Sequence, residues 1–255
     1  YRQDRSLSRA SLGGYRQGRG DQKRRGEPGI KIGEPRINTD ILSLAAKSLL
    51  HVVWPSSCPV CGRLAVRVCS DCLKSLSGLF FSFCVECGHD APCEFHPDGM
   101  VCRAVSAYGG ANRDVVHAMK YAGGSSIALM MGELMAEILP RPDVDFLVPV
   151  PLHDFSAREY NQSELIAKGA SRAWKIPVEN CLRWKSGSRN QASKSGRDER
   201  ELPDDAMKSS GAIRGRRVLL VDDVCTTGNT LLAAKRALSR ARAETAGAMV
   251  WSRSI

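Results

Sequence analysis

One segment of this 255-residue chain, residues 218–230 with the sequence VLLVDDVCTTGNT, restricts the possible fold more than any other. Its first four residues are apolar, which is typical of a strand buried in a parallel sheet. Asp222 and Asp223 follow where that strand should end, and a Thr/Gly-rich turn comes next. A helix with apolar residues on one face follows the turn. The order predicts a strand–turn–helix unit of an α/β fold.

The turn of this unit has the chemistry of a phosphate site. It offers backbone N–H groups, threonine hydroxyls, a glycine that allows close approach, and the N-terminus of a helix. The two carboxylates can accept hydrogen bonds from ribose hydroxyls or hold Mg²⁺ through water. A Walker-B strand also ends in Asp, but the chain has no G-x-x-x-x-G-K-[ST] motif. A receiver-type acidic pocket lacks the Thr-Thr-Gly turn. The segment therefore predicts a site for a sugar phosphate.

Length and charge bound the rest of the chain. There is room for one ordinary α/β domain plus a small module and a tail. The net charge is +10, and residues 1–36 hold ten basic residues against four acidic ones. Because this stretch is also poor in large apolar residues, we expect residues 1–38 to form a disordered basic tail that can attract nucleic acid. A leader without function is the alternative.

Residues 39–55 have the apolar spacing of a short amphipathic helix, which Pro55 ends. No stretch of the sequence reaches the apolar length of a membrane span, and the N-terminus lacks the apolar core of a signal peptide. We therefore expect a cytoplasmic protein without a membrane span.

Eight of the ten cysteines fall between positions 58 and 102, and we expect residues 56–102 to form a small zinc-ribbon-like module. Two C-x-x-C pairs supply four thiolates for a tetrahedral structural zinc: Cys58, Cys61, Cys69 and Cys72. A second set has the spacing of a Cys₃His zinc site: Cys84, Cys87, Cys93 and His96. This second set is less clean, because His89 and Cys102 are competing ligands. Disulfides are the alternative for all eight, but a chain without a secretion signal is expected to keep its thiols reduced.

Residues 103–255 have the composition and order of an α/β domain, in which we expect Asn112 to cap the first helix. Residues 146–151 predict a buried strand that leads through a loop into a helix. The polar cluster Arg158, Asn161 and Gln162 lies at this strand-to-helix junction, where α/β folds gather ligand contacts. Residues 186–210 are polar and show no helical or strand period, which predicts a long loop that orders over a ligand as a lid.

Taken in order, these segments resemble the ComF family (competence protein F), in which a zinc-binding cysteine module precedes a type I phosphoribosyltransferase-like domain. The resemblance covers residues 41–255. It is carried by the first cysteine set, V-P-V-P at 148–151, R-E-x-N-Q at 158–162, the Gln191 region and D-D-x-x-T-T-G-x-T at 222–230. It implies the type I phosphoribosyltransferase fold, a parallel sheet flanked by helices.

By this resemblance, residues 222–230 bind 5-phosphoribosyl 1-pyrophosphate (PRPP). Asp222 and Asp223 would contact the ribose hydroxyls, and Mg²⁺ would bridge the ribose hydroxyls and the pyrophosphate. The turn would cup the 5′-phosphate with five residues: Thr226, Thr227, Gly228, Asn229 and Thr230. The loop after the V-P-V-P strand corresponds to the pyrophosphate loop, so Arg158 would neutralise the departing charge. Asp222, Asp223 and Arg158 are thus the implied catalytic residues.

The chain departs from the family pattern at two places. His96 stands where the second cysteine of a fourth pair would fall, which puts the second zinc in doubt. In the lid, Lys194 replaces a usual leucine, and E-R-E-L at 199–202 replaces a usual R-x-x-N. The nine-residue phosphoribosyl motif is intact.

The resemblance favours a phosphoribosyltransferase that transfers phosphoribosyl to an acceptor and releases pyrophosphate, in the context of DNA uptake. No acceptor-recognition residues stand out in the sequence. The alternative is a non-catalytic single-stranded DNA-binding competence factor with the same fold, working with DNA-uptake machinery. A third reading is a regulator that binds PRPP and releases it unchanged. Two intact carboxylates favour a working PRPP site over a purely structural turn.

Overall fold

The computed structural model describes residues 57–64, 68–78, 80–121, 124–152, 156, 158–185 and 202–254. All of them lie within one unit of the chain, residues 45–255. The tail and amphipathic helix predicted over residues 1–55 are outside the described residues, as is most of the predicted lid, residues 186–201. None of the helices in the described part of the chain has the length and apolar character needed to cross a bilayer.

The described residues form five α-helices and seven β-strands. The helices are α1 (Ser70–Leu76), α2 (Gly110–Tyr121), α3 (Ser125–Ile138), α4 (Gln162–Trp174) and α5 (Asn229–Arg240). The strands are β1 (Phe81–Cys84), β2 (Val101–Ala107), β3 (Phe146–Pro149), β4 (Leu182–Trp184), β5 (Met207–Ser209), β6 (Arg217–Cys225) and β7 (Glu244–Arg253).

Five strands form the main sheet in the order β1-β2-β7-β6-β3. Strands β2, β7, β6 and β3 run parallel, whereas β1 lies antiparallel to β2 at one edge. Strands β4 and β5 form a separate antiparallel pair. The mostly parallel sheet confirms the predicted α/β architecture.

Helices cover both faces of the main sheet. Helices α2, α3 and α4 pack over Leu219, Val221 and Trp251, and helix α5 packs with β4 and β5 over Leu220 and Val250. Central strands buried on both faces need apolar side chains on both, which is why residues 218–221 of β6 are all apolar. The backbone N–H of Val150, just after β3, donates to the carbonyl of Val221 at 2.9 Å. This bond joins the loop after β3 to the start of the acidic pair.

Two local predictions were wrong, and one strand ends later than predicted, since β6 continues through Asp222 and Asp223 to Cys225. Helix α2 begins at Gly110, so Asn112 lies inside the helix rather than at its cap. Its side chain has tertiary partners instead, donating to the carbonyl of Leu76 and accepting from the indole N–H of Trp251. The predicted loop over residues 186–210 includes strand β5, because Met207 is buried and pairs with Trp184 of β4. In both cases distant parts of the chain decide the local structure.

Helices α3 and α4 meet backbone to backbone at two glycines. A Cβ atom at Gly132 would lie 2.0 Å from the carbonyl oxygen of Ile166, and one at Gly169 would lie 2.2 Å from that of Leu129. Backbone atoms at such positions cannot move aside as a flexible side chain could. The close approach of these helices therefore depends on glycine at both positions.

We expect Gly132→Ala to lower the free energy of unfolding by about 1–3 kcal/mol, the usual cost of overpacking a well-packed contact. Urea unfolding followed by circular dichroism measures it. Gly211→Ala is the matched control, since a Cβ there meets nothing within 4 Å. Equal stability of the two variants would contradict the close helix contact.

Candidate functional site

The acidic pair lies near the carboxyl end of β6, where the N-terminus of α4 meets it. Asp222 Oδ1 accepts hydrogen bonds from the Ser163 hydroxyl at 2.7 Å and from the backbone N–H of Asp223 at 2.8 Å. Asn161 caps α4 by accepting from the backbone N–H of Ser163, and its amide donates to the carbonyl of Val150. The loop after β3 is thereby fixed beside Asp222.

Asp223 makes an ion pair with a residue outside every motif of the sequence. The ammonium of Lys120, in the last turn of α2, lies 2.8 Å from Asp223 Oδ2. The two side chains are only 21% and 11% exposed, so solvent screens this pair weakly. The acidic pair therefore has a cation beside it before any ligand binds.

Desolvation changes the acidity of Asp222. Burial of its carboxyl group, and secondly the charge of Asp223, raise the pKa of Asp222 to about 7. Hydrogen bonds from Ser163 and from the Asp223 backbone, and the charge of Lys120, act in the opposite direction. Near neutral pH the Asp222 carboxyl group therefore exchanges between its acid and carboxylate forms.

A cleft of about 220 Å³ opens beside the acidic pair. Its lining includes Val150, Arg158, Asn161, Gln162, Trp184 and Thr230. Arg158 donates from Nη1 to Gln162 Oε1 at 3.2 Å, and the buried Gln162 Nε2 has no hydrogen-bond partner within the described ranges. A buried amide donor without a partner is costly, so a ligand in the cleft would supply what Gln162 lacks.

The turn at residues 226–230, predicted above to bind a phosphate and called the phosphate turn below, depends on glycine at its centre. Gly228 has φ +78° and precedes the first residue of α5, and the backbone N–H of Leu232 donates to its carbonyl. A Cβ atom at this position would lie 2.6 Å from Val85 Cγ1 and 2.8 Å from the Val85 carbonyl oxygen. Both the left-handed conformation and this close approach exclude larger residues.

The turn has two sides. Thr230 lines the cleft beside the acidic pair, whereas residues 226–229 line a second pocket of about 580 Å³. The opposite wall of this second pocket is residues 83–88, together with Arg253. The turn is therefore bounded on one side by the acidic pair and on the other by part of the cysteine-rich segment.

The first cysteine set comes together in space. The sulfur of Cys69 lies 3.7 Å from that of Cys61 and 3.9 Å from that of Cys58, and Cys72 completes the group. A tetrahedral zinc with Zn–S bonds of about 2.3 Å holds its sulfurs about 3.8 Å apart, whereas a disulfide needs about 2.05 Å. Burial opposes ionisation of Cys58, but backbone hydrogen bonds lower the pKa of its thiol to about 6. The geometry fits zinc.

The second set also converges. The sulfur of Cys93 lies 3.4 Å from that of Cys87 and 3.8 Å from His96 Nδ1, and Cys84 completes the set. These distances fit a Cys₃His site with His96 as the fourth ligand. His89 and Cys102 are outside the group: the ring of His89 packs on Phe95, and Cys102 is fully buried.

Residues between the ligands of the second set contact the phosphate turn and the elements beside it. Val85 lies between Cys84 and Cys87 and packs on Gly228, as described above. Glu86 accepts from the backbone N–H of Met100 and forms a 3.1 Å ion pair with Lys235 of α5. The guanidinium of Arg253 donates to the carbonyl of Gly88 and lies 4.2 Å from the Phe83 ring centroid.

The structure brings most of the predicted site residues to one edge of the sheet. Asp222, Asp223, Arg158 and Thr230 share the cleft, together with the polar cluster of the β3–α4 loop. Residues 153–155 and 157 of that loop, and Gln191 and Lys194 of the predicted lid, are not among the described residues. Sequence reasoning missed Ser163 and Trp184, which line the cleft, and Lys120, which contacts Asp223. Ser163 directly follows the R-E-x-N-Q segment, whereas Lys120 and Trp184 lie outside every motif.

The chain is similar to a known protein family. A model described as "Phosphoribosyl transferase domain" matches residues 128–253, which include the acidic pair and the phosphate turn.

Two curated proteins are similar to this chain. Competence protein F of Haemophilus influenzae is 37% identical over 91 residues, which cover 33% of this chain and 40% of that protein. Competence protein ComFC of Streptococcus pneumoniae is 27% identical over 148 residues, which cover 57% of this chain and 65% of that protein. The chain thus spans less than two thirds of either relative.

Solved structures to which the chain is similar include a phosphoribosyltransferase from Corynebacterium diphtheriae, at 18% identity and a TM-score of 0.33. That match covers 55% of this chain and 78% of the other. An adenine phosphoribosyltransferase matches at 14% identity and a TM-score of 0.30, covering 70% of this chain and 88% of the other.

The raised pKa of Asp222 predicts a pH-dependent difference between the protein and Asp222→Asn. A raised carboxyl pKa stabilises the fold fully below the unfolded value of 3.8, and that stability is lost as pH rises through about 7. We therefore expect Asp222→Asn to gain stability relative to the unmodified chain between these values and to keep the gain above pH 7. Urea unfolding at several pH values measures it.

Asp204→Asn is the control for that experiment, because the Asp204 side chain is 91% exposed. Its difference from the unmodified chain should not vary over the same pH range. A pH-independent difference for Asp222→Asn as well would contradict the raised pKa.

The two converged cysteine sets predict two bound zinc ions per chain. Cys61→Ser and Cys87→Ser should each remove one, since both residues are exposed and their replacement leaves the core packing intact. Elemental analysis of the purified protein counts the metal. Cys181→Ser, outside both sets, should retain two ions. One zinc in the unmodified chain, with no loss in Cys87→Ser, would refute the second site.

Proposed function

This chain is a ComF-family protein with a type I phosphoribosyltransferase-like domain, and from that premise we propose that its cleft binds PRPP with Mg²⁺. The observation that carries the proposal is the arrangement at the end of β6. A pair of carboxylates, a glycine-centred turn at a helix N-terminus and a cleft containing Arg158 occupy one edge of the sheet. Each part suits one portion of a phosphorylated sugar.

The parts divide the substrate between them. Asp222 and Asp223 accept hydrogen bonds from the two ribose hydroxyls, which are donors. The backbone N–H groups of residues 226–230 and the N-terminus of α5 receive the 5′-phosphate. Arg158 also lines the cleft, and its guanidinium offers forked donors to the pyrophosphate. Gln162, whose buried amide nitrogen has no partner among the described residues, supplies a further donor.

The reaction we propose is displacement at C1 of the ribose by an acceptor nucleophile, with pyrophosphate as the leaving group. The bond from C1 to the pyrophosphate oxygen breaks with both electrons leaving on oxygen, and a bond from the acceptor to C1 forms. Bound Mg²⁺ would add positive charge at the pyrophosphate. The chain's own residues position the sugar and stabilise the charge that departs, and Arg158 is the residue for the latter role.

Competence is the setting we propose, because both curated relatives are named competence proteins. A non-catalytic single-stranded DNA-binding role with the same fold is the second candidate, favoured by those names and by the net charge of +10. Such binding would weaken steeply with salt and would not need the acidic pair.

Calorimetric titration of PRPP with Mg²⁺ into the zinc-loaded protein tests the first candidate. We expect the double variant Asp222→Asn/Asp223→Asn to weaken binding by about 100-fold or more, since two charge-assisted hydrogen bonds are lost. Asp204→Asn, an exposed acid away from the cleft, should bind as the unmodified chain does.

The remaining outcomes separate the two candidates. Absence of PRPP binding by the unmodified chain would contradict the proposal. Salt-dependent binding of an oligothymidine that survives in the double variant would favour the DNA-binding role. Pyrophosphate release in a screen of nitrogen nucleophiles would establish turnover and identify the acceptor class.

A further inference from the structure

Lys120 reaches the site from a helix that contains no phosphoribosyl motif. Its ammonium lies 2.8 Å from Asp223 Oδ2, and the partly buried surroundings of both side chains favour a persistent pair. A lysine at the end of α2 also complements the negative end of the helix dipole, but that role needs no contact with Asp223. The contact with an acid lining the cleft is the feature that needs explanation.

The end of α2 is attached to the loop that carries Arg158. The Tyr160 hydroxyl donates to the carbonyl of Met119, the residue before Lys120. The Arg158 guanidinium lies 5.6 Å from the ring centroid of Tyr121, the residue after it. Two cations of different elements, Lys120 and Arg158, are therefore held near the same cleft by direct contacts between those elements.

Substrate binding changes what Lys120 can contact. A ribose hydroxyl that donates to Asp223 Oδ2 would compete with the ammonium of Lys120 for that oxygen. A partly buried ammonium that loses its partner is destabilised, so Lys120 needs another anion once the site is filled. Its flexible four-carbon stem allows the ammonium to move while the helix end stays fixed.

We propose that Lys120 is a substrate-binding residue, whose ammonium balances Asp223 in the empty site and binds the anionic pyrophosphate arm of the substrate in the filled site. This inference rests on the proposed function. It adds to Arg158 a second cation, from a different element of the fold, to stabilise the negative charge of the departing pyrophosphate. It also explains why Asp223, which we propose binds a sugar hydroxyl, is paired with Lys120 when the cleft is empty.

Three ligands test the proposal: PRPP, ribose 5-phosphate and inorganic pyrophosphate, each titrated with Mg²⁺ into the zinc-loaded protein. We expect Lys120→Gln to weaken binding of PRPP and pyrophosphate by about tenfold or more, which corresponds to about 1.4 kcal/mol. Ribose 5-phosphate lacks the pyrophosphate arm. Lys120→Gln should therefore bind it with an affinity within about twofold of that of the unmodified chain, a difference below about 0.5 kcal/mol.

Lys120→Arg should recover part of the lost affinity, because it restores the positive charge. Lys168→Gln removes the same charge from an exposed pair on α4 and should change none of the three affinities. If Lys120→Gln unfolds the protein, the double variant Lys120→Gln/Asp223→Asn keeps the charge balance and is compared with Asp223→Asn alone.

The outcomes are distinguishable. Equal weakening of ribose 5-phosphate and PRPP would overturn the inference, since it would show that Lys120 only maintains Asp223. Unchanged affinities for all three ligands in Lys120→Gln would overturn it too. Failure of the unmodified chain to bind PRPP would overturn the proposed function and this inference together.

Discussion

Two neighbouring carboxylates near the end of one strand are the constraint on which the arrangement of this site depends. Asp222 and Asp223 repel each other, and partial burial removes the water that would weaken that repulsion. The hydroxyl of Ser163 and the ammonium of Lys120 offset this cost. Because these partners come from α4 and α2, the positions of both helices on the sheet are tied to the acidic pair.

The cysteine-rich segment packs directly against the main sheet and the phosphate turn. Strand β1 extends the main sheet, and the backbone of Val85, between two thiols of the second set, defines how closely Gly228 can approach. The ion pair between Glu86 and Lys235 ties that segment to α5, whose N-terminus ends the phosphate turn. A metal that fixes the second set would therefore restrict the turn as well, since a bound ion limits the motion of its ligands.

The local motif was predictable from sequence because its signals are local. Apolar residues 218–221, the acids after them and the glycine of the turn lie within thirteen positions, and their order predicts a strand, a turn and a helix start, although not the residue at which the strand ends. Lys120, Ser163 and Asn112 were beyond such reasoning. The contact between Lys120 and Asp223 joins residues far apart in sequence, and Asn112 has a typical capping side chain that the structure uses for Trp251 instead. Only the packing of the helices on the sheet creates these contacts.

The protonation of Asp222 connects the fold to the ligand it suits. Near pH 7 the empty pair carries between one and two negative charges, and Lys120 balances one of them. A sugar hydroxyl donates to the ionised form of a carboxyl group, so ligand binding favours the deprotonated state of Asp222 and draws its pKa downward. Desolvation destabilises the charged form of Asp222 in the empty protein. The same desolvation makes its carboxylate a strong hydrogen-bond acceptor when a ligand hydroxyl is present. If the cleft binds such a hydroxylated ligand, as we propose, its affinity should rise as pH rises toward 7, because less of the binding free energy is used to remove the proton.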